Sequence, residues 1–254
     1  MVPMFKELGL VFCFAFLYSA LALAEAPEHY YNPPENINPD SNYTPGDFPL
    51  ADIAQSEMVY HAKKTELAAK QDVTNPKHVT TLGSGEITFS SIKNETKPVL
   101  GYFHDFWGLA VLGENGPESV ELVIDVNSLD TGVPGRNHRI LNLFFESMKP
   151  EWGTVVVNFS SFDLGGLGWA DFTDGVTHSL SAAGTVILNG VTRPITVKLN
   201  AAVQNNTWVI ESAEPLKLLI SDFDFGERTL ELMRSCNHAS LGNAVEIKVK
   251  LYFK

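Results

Sequence analysis

Cysteine is scarce in this chain, with two in 254 residues, Cys13 and Cys236. Cys13 lies within an N-terminal apolar run. A chain processed after that run keeps one thiol and forms no intramolecular disulfide, so the fold must rest on its core alone. Cations are also few. Eighteen Lys and Arg face thirty Asp and Glu, for a net charge of −12, a balance that repels nucleic acid and anionic membranes and favours solubility. The seven His residues contain no H-x-x-x-H pair, and there is no C-x-x-C-H haem signature. Gly83-Ser84-Gly85 lacks the G-x-S-x-G nucleophile elbow.

What is present begins with a signal pattern. Lys6 precedes the apolar stretch Leu8 to Leu23, which ends in Ala22-Leu23-Ala24, the small-x-small pattern read by signal peptidase. The stretch is shorter than the roughly 20 residues of a spanning helix, so residues 1–24 read as a signal peptide, with Glu25 first in the mature chain and no integral membrane segment after it. Cys13 sits in mid-run behind Phe12, where a lipid-modified cysteine would not lie. Export to the periplasm, or secretion, is the expectation. Removing Lys6 and Glu7 leaves the net charge at −12.

Residues 25–50 hold six prolines among Asn, Asp and Glu, which predicts an extended, disordered leader. A short helix is expected from Asp52 to Gln71. Asp52 and Gln55 have capping-box spacing, and Ile53, Tyr60 and Leu67 recur every seven residues, a thin stripe that predicts weak docking. Asn75-Pro76 ends it, and residues 25–84 form one leader segment.

From Gly85 the pattern becomes period two. Val245, Ile247, Val249, Leu251 and Phe253 alternate with Glu246, Lys248, Lys250 and Tyr252, and similar runs surround Val120, Val155 and Ile195. Asn115-Gly116, Asn189-Gly190 and Asn205-Asn206 suit tight hairpin turns. The runs predict eight strands, at 85–93, 98–112, 119–127, 154–162, 178–188, 193–203, 207–220 and 244–253. An all-β fold of antiparallel strands, closed as a barrel or packed as a sandwich, follows over 85–254. An eight-stranded barrel either fills with side chains or holds one small ligand. Alternation alone favours filling and does not decide the matter.

Several segments together resemble the YceI-like family. Ile187-Leu188-Asn189-Gly190-Val191-Thr192-Arg193-Pro194-Ile195 is similar to its "GVTRP" hairpin. Gly101-Tyr102-Phe103 with Phe106 and Gly108, Ile124 to Gly132, Arg136-Asn137-His138 with Phe144-Phe145, and Ser221-Asp222-Phe223 with Gly226 resemble further landmarks in the expected order. The resemblance covers 85–254. It implies an eight-stranded antiparallel lipocalin-like barrel, in exported bacterial proteins that bind polyisoprenoids, isoprenoid quinones or fatty-acid amides in the lumen. Three departures stand out. Asn137 replaces an acid, the spacing from Arg136 to the Phe pair is one residue short, and Asp224-Phe225 separates Phe223 from Gly226.

Two readings of Arg136-Asn137-His138 stand side by side, a mouth loop that meets a ligand head group and an ordinary solvated turn. Phe144-Phe145 read as a cavity mouth or as plain core. Asn189-Gly190 and Arg193-Pro194 build a hairpin, with Arg193 free to pair a neighbouring acid. Cys236-x-His238 is two ligands short of a closed zinc site, and Cys236 reads as a small buried apolar residue. Asp222-x-Asp224-x-x-Glu227 lacks EF-hand spacing. His104 and Asp105, adjacent in one strand, would point to opposite faces. The chain therefore reads as a non-enzyme with no cofactor and no metal. It would bind an apolar lipid or isoprenoid ligand through Phe89, Phe103, Leu122, Ile124, Phe144, Phe145, Phe159, Ile187, Leu199 and Phe223. A filled barrel acting as an interaction module is the alternative, and a hydrolase using His138 or His178 is a third. The sequence is compatible with a homodimer.

Overall fold

A computed structural model describes residues 50–71 and 78–254. The signal segment, the Pro-rich leader, Asn75-Pro76 and the side chains of Asp52 and Ile53 lie outside the described residues. Among those described, no helix is long and apolar enough to cross a membrane.

Among the described residues, eleven strands form one sheet: β1 (His78–Lys93), β2 (Lys97–Phe103), β3 (Phe106–Leu112), β4 (Pro117–Asp125), β5 (Leu129–Asp130), β6 (Thr154–Asp163), β7 (Thr177–Leu188), β8 (Val191–Gln204), β9 (Thr207–Ser212), β10 (Leu216–Leu219) and β11 (Leu241–Phe253). Every pairing between them is antiparallel, and β11 pairs with β1 over Leu82↔Phe253 to Lys93↔Leu241, so the hydrogen-bonded order returns to its start. The eight expected strands survive as eight positions around this barrel, with two of them broken.

The run 98–112 divides into β2 and β3, which keep one register along β1, from Ile87↔Phe103 to Thr81↔Leu109. His104 and Asp105 form the break rather than opposite faces of a strand. Their backbone leaves the ladder because His104 N–H donates to Ser128 O (3.3 Å) and Asp105 O accepts from Asp125 N–H (2.9 Å). The run 207–220 divides into β9 and β10, which both lie along β11. Pro215, in the gap, has no backbone donor to continue the ladder. β1 begins at His78, ahead of the first expected strand.

Hairpin chemistry matches two of the three asparagine signals, while at Asn115-Gly116 only the glycine has a positive φ, at 154°. Asn189 and Gly190 have φ of 54° and 72°, and Asn205 and Asn206 have 49° and 61°, the left-handed pair that a two-residue β-turn needs. Pro194 is tolerated because β8 pairs with β7 from Val191 to Ala202, whereas β9 joins its other side only from Leu199 onward. Arg193 donates to Thr192 O (3.0 Å) rather than to an acid.

The connections sort to two ends. Between β4 and β6 lie a 3-10 turn (Val126–Ser128), α2 (Pro134–Arg139) and a π-helical turn (Ile140–Phe145), and between β10 and β11 lie a turn (Ile220–Phe223) and α3 (Gly226–Ser235). Meander topology puts both groups at one end, next to Lys93 and Leu241, which pair. At the opposite end, the β6–β7 loop carries a 3-10 turn at Trp169–Asp171.

The first helix, here α1 (Leu50–Gln71), docks more firmly than its thin stripe predicts. Tyr60 and Leu67 are buried against Val123, Trp107 and Val156 on the outer face of the sheet. Ser56, fully buried, accepts from Asn127 Nδ2 (3.1 Å). Asn127 N–H in turn donates to Asp125 Oδ1 (2.9 Å) and Ser128 Oγ to Asp125 O (2.7 Å). Gly153 makes room for this joint, since a side chain there would collide with Ser56. Lys70 adds an ion pair to Glu121 (2.9 Å). The Asp125–Ser128 landmark is therefore a buried polar latch for a helix.

Candidate functional site: a cavity inside the barrel

The inward side chains do not fill the barrel. They line a cavity of about 1390 Å³. Over much of its wall the lining follows strand parity, with Ile87 and Phe89 on β1, Val99 and Phe103 on β2, Val120, Leu122 and Ile124 on β4, Val155, Val157 and Phe159 on β6, and Ile247, Val249, Leu251 and Phe253 on β11, whereas consecutive residues line it along β8 and β10. Glycine shapes this wall at Gly101, where a Cβ would lie 2.5 Å from the Phe89 ring. The ring therefore lies along the wall over Gly101, and Phe103 meets it at 5.7 Å between centroids.

Nine of the ten predicted ligand-contact residues border the cavity, namely Phe89, Phe103, Leu122, Ile124, Phe144, Phe145, Phe159, Leu199 and Phe223. Ile187 does not; Val186 and Leu188 do. Val186, Ile187 and Leu188 are all apolar, so this stretch carries no polar alternation from which to read its facing. Ile187 pairs with Val156, which packs on α1 outside the barrel.

The helical end has an aromatic floor. Phe144 stacks on Phe225 at 4.2 Å and 10°, and Phe145 stands edge-on to both, at 5.1 Å and 5.8 Å. Phe223 and Phe225 are both buried. Phe225, one of the two residues that depart from the family spacing, is thus the centre of this cluster. Arg228 on α3 fixes the arrangement, lying over Phe225 (4.7 Å) and Trp152 (4.5 Å) and pairing with Glu146 (3.4 Å). At the other end Trp169, Phe172 and Trp208 contact one another, and Trp169 Nε1 donates to Gly113 O (2.8 Å). Nothing in the local sequence pattern marks these three as neighbours.

Polar lining is concentrated where the helices meet the barrel. Lys93, Arg136, Arg139, Cys236, Asn237 and His238 all border the cavity there. Burial, together with Lys93, Arg139 and Arg136, holds the His238 imidazole below its ordinary value. Burial pushes the Cys236 thiol up, against the pull of Arg139 and Lys93. Cys236 is half-buried on the wall rather than a packed core residue. A second polar border follows the seam between β8 and β10, where Lys198 pairs with Glu214 (3.0 Å) and Lys217 with Glu246 (3.7 Å).

Arg136-Asn137-His138 forms helix α2 and not a loop, and its three side chains part company. Arg136 borders the cavity. Asn137 Nδ2 donates to Asp130 Oδ1 (2.9 Å), while its Oδ1 accepts from Thr131 N–H (2.9 Å). An acid at 137 could not donate to Asp130, so the amide suits this turn. Burial opposes ionisation of Asp130, but hydrogen bonds from Asn137, Gly132, Tyr102 and His104 outweigh it and hold the carboxyl below its usual range. His138 is buried off the cavity wall beside Asn142 Nδ2 (2.9 Å), and burial, with Arg139, lowers its pKa to about 4. His178 donates from Nε2 to Asp171 O (2.9 Å) and stands edge-on to Phe172. Neither histidine borders the cavity. Among the described residues, no three His, Cys, Asp or Glu are grouped to hold a metal; Asp222, Asp224 and Glu227 are exposed.

No curated relative matches the chain in sequence. Solved structures share its fold. A polyisoprenoid-binding domain from Saccharophagus degradans superposes with a TM-score of 0.60 at 19% identity, covering 70% of this chain and 98% of that one. BcnA of Burkholderia cenocepacia gives 0.52 at 18% identity, covering 66% of this chain and 95% of its own. The sequence profile of the YceI-like domain matches residues 75–253, and the chain therefore belongs to the YceI-like family.

Proposed function

We propose that this protein is an exported carrier or sequestering protein that holds one long apolar lipid-like molecule in its barrel. The observation that carries this reading is the cavity. Its volume of about 1390 Å³ exceeds the roughly 300–1,000 Å³ of ordinary ligand pockets, and its wall is aliphatic and aromatic on nearly every strand. Length in the ligand is physically required. Each buried methylene contributes about 0.8 kcal/mol, whereas association costs on the order of 4–15 kcal/mol in lost freedom. A short chain cannot offset that cost with hydrocarbon alone. The S. degradans relative, described as polyisoprenoid-binding, supports an isoprenoid, quinone or fatty-acid derivative as the class.

The N-terminal signal pattern and the acidic surface support a periplasmic protein that works away from anionic membranes. The reading assigns no chemistry to the cavity, and its role is binding. Native mass spectrometry of the purified mature chain, before and after extraction into organic solvent, tests it. A complex that loses a lipid-sized mass on extraction is expected. A bare mass, with no uptake of an added C12–C18 alkyl probe, would overturn it.

A further inference from the structure

The two charged borders of the cavity differ in one respect. Along the β8–β10 seam both lysines are paired, Lys198 with Glu214 and Lys217 with Glu246. At the helical end, among the described residues, no carboxylate pairs with Lys93, Arg136 or Arg139, and none of the three donates a hydrogen bond to another side chain or to the carbonyl end of α3. Arg139 Nε is buried with no partner at all. These cations come from β1 and α2 and meet around Cys236, Asn237 and His238, which follow α3.

In a chain with twelve more acids than bases, such a cluster is costly. Three like charges share a partly desolvated wall, and a buried guanidinium N–H lacking an acceptor forfeits its desolvation energy. Lys93 and Arg139 act on both His238 and Cys236 from within the cluster, although burial is the larger influence on each and raises the thiol overall. Plain packing does not call for this arrangement, since Leu232 and Leu241 border the cavity close by in sequence without any charge. An oxyanion set among the three would satisfy it. Arg offers a planar fork that matches carboxylate or phosphate oxygens, and Lys adds a point charge.

We propose that the helical end of the cavity is a head-group site, in which Lys93, Arg136 and Arg139 hold the phosphate or carboxylate of an anionic amphiphile whose tail runs into the barrel. This rests on the lipid-binding reading above and adds the polarity of the ligand. It also fixes the ligand's direction, with the head at the helices and the tail toward Trp169, Phe172 and Trp208. Neutral lipids would fit the wall but leave the cations unpaired.

Calorimetric titration of the mature protein, freed of co-purified lipid on a hydrophobic resin, tests the proposal with four probes below their micellar concentrations: dodecyl phosphate, dodecanol, dodecyltrimethylammonium and inorganic phosphate. Dodecyl phosphate should bind about tenfold or more tighter than dodecanol, the cation should bind weakest, and the preference should shrink with added salt. Arg136→Gln with Arg139→Gln should lose about tenfold for dodecyl phosphate while dodecanol affinity stays within about twofold. The wild-type preference stands as a test even if the double variant fails to fold. Equal affinity for phosphate and alcohol would overturn the head-group site and leave the lipid reading intact. Failure of all three alkyl probes would overturn both. Inorganic phosphate binding as tightly as dodecyl phosphate would mean a free-anion site and overturn the amphiphile.

Discussion

The two ends of the barrel close the same cavity with opposite chemistry. At one end Trp169, Phe172 and Trp208 interlock, and the Trp169 N–H is satisfied by a backbone carbonyl. At the other, helices cover an aromatic floor of Phe144, Phe145 and Phe225 but leave three cations facing inward. An apolar plug only needs to exclude water, and aromatic rings do that with large buried area. An unpaired cationic rim opposes the stability of the empty protein. The contrast teaches that the helical end, unlike the plug, keeps polar groups that its own packing does not satisfy.

The largest test of this contrast removes the floor. Phe225→Ala should cost about 4 kcal/mol in urea unfolding, because a fully buried ring stacked on Phe144 is lost and α3 with its Arg228 contact loosens. Phe172→Ala at the plug should cost about 3 kcal/mol, since its ring is slightly more exposed and meets its neighbours at longer range. If the plug loses much more than the floor, the helical end is not the structural counterpart of the plug.

A pH titration separates the ends next. His138 has a folded pKa of about 4, below its unfolded value near 6.5, so between those values the unfolded chain binds more protons. Stability is then fully present above about pH 6.5 and is lost as pH falls toward 4. Between pH 7 and 5 the loss should be about 2 kcal/mol in urea unfolding. His138→Gln should flatten this dependence, and a slope unchanged in the variant would remove His138 from the account.

The smallest expected effect is the most telling in sign. Arg139→Gln should stabilise the lipid-free protein by about 1 kcal/mol, because it removes a half-buried cation whose Nε is buried without a hydrogen-bond partner. A loss of stability of that size would mean that Arg139 is satisfied within the empty fold.

Much of this fold is written in local patterns. The alternation on β11 and the Asn-Gly and Asn-Asn turns need only neighbours in sequence to be read, and the structure keeps both. The seven-residue spacing of Tyr60 and Leu67 likewise announces one helix face, while the Ser56–Asn127 latch behind it joins residues far apart in the chain. Facing fails where polar alternation stops, as at Ile187. The open lumen was not legible, because periodicity fixes the direction of a side chain and not the distance across the barrel. Lys93, Arg139 and His238 belong to three separated segments, so only the folded chain brings them together. Phe225, visible only as a break in family spacing, turned out to hold the floor.

The most direct measurement is a crystal structure of the mature protein with dodecyl phosphate bound. An alkyl tail along the barrel wall is expected, with phosphate oxygens within hydrogen-bond distance of Arg136 and Arg139. A tail outside the barrel, or a phosphate seated at the Trp169–Phe172 end, would contradict it.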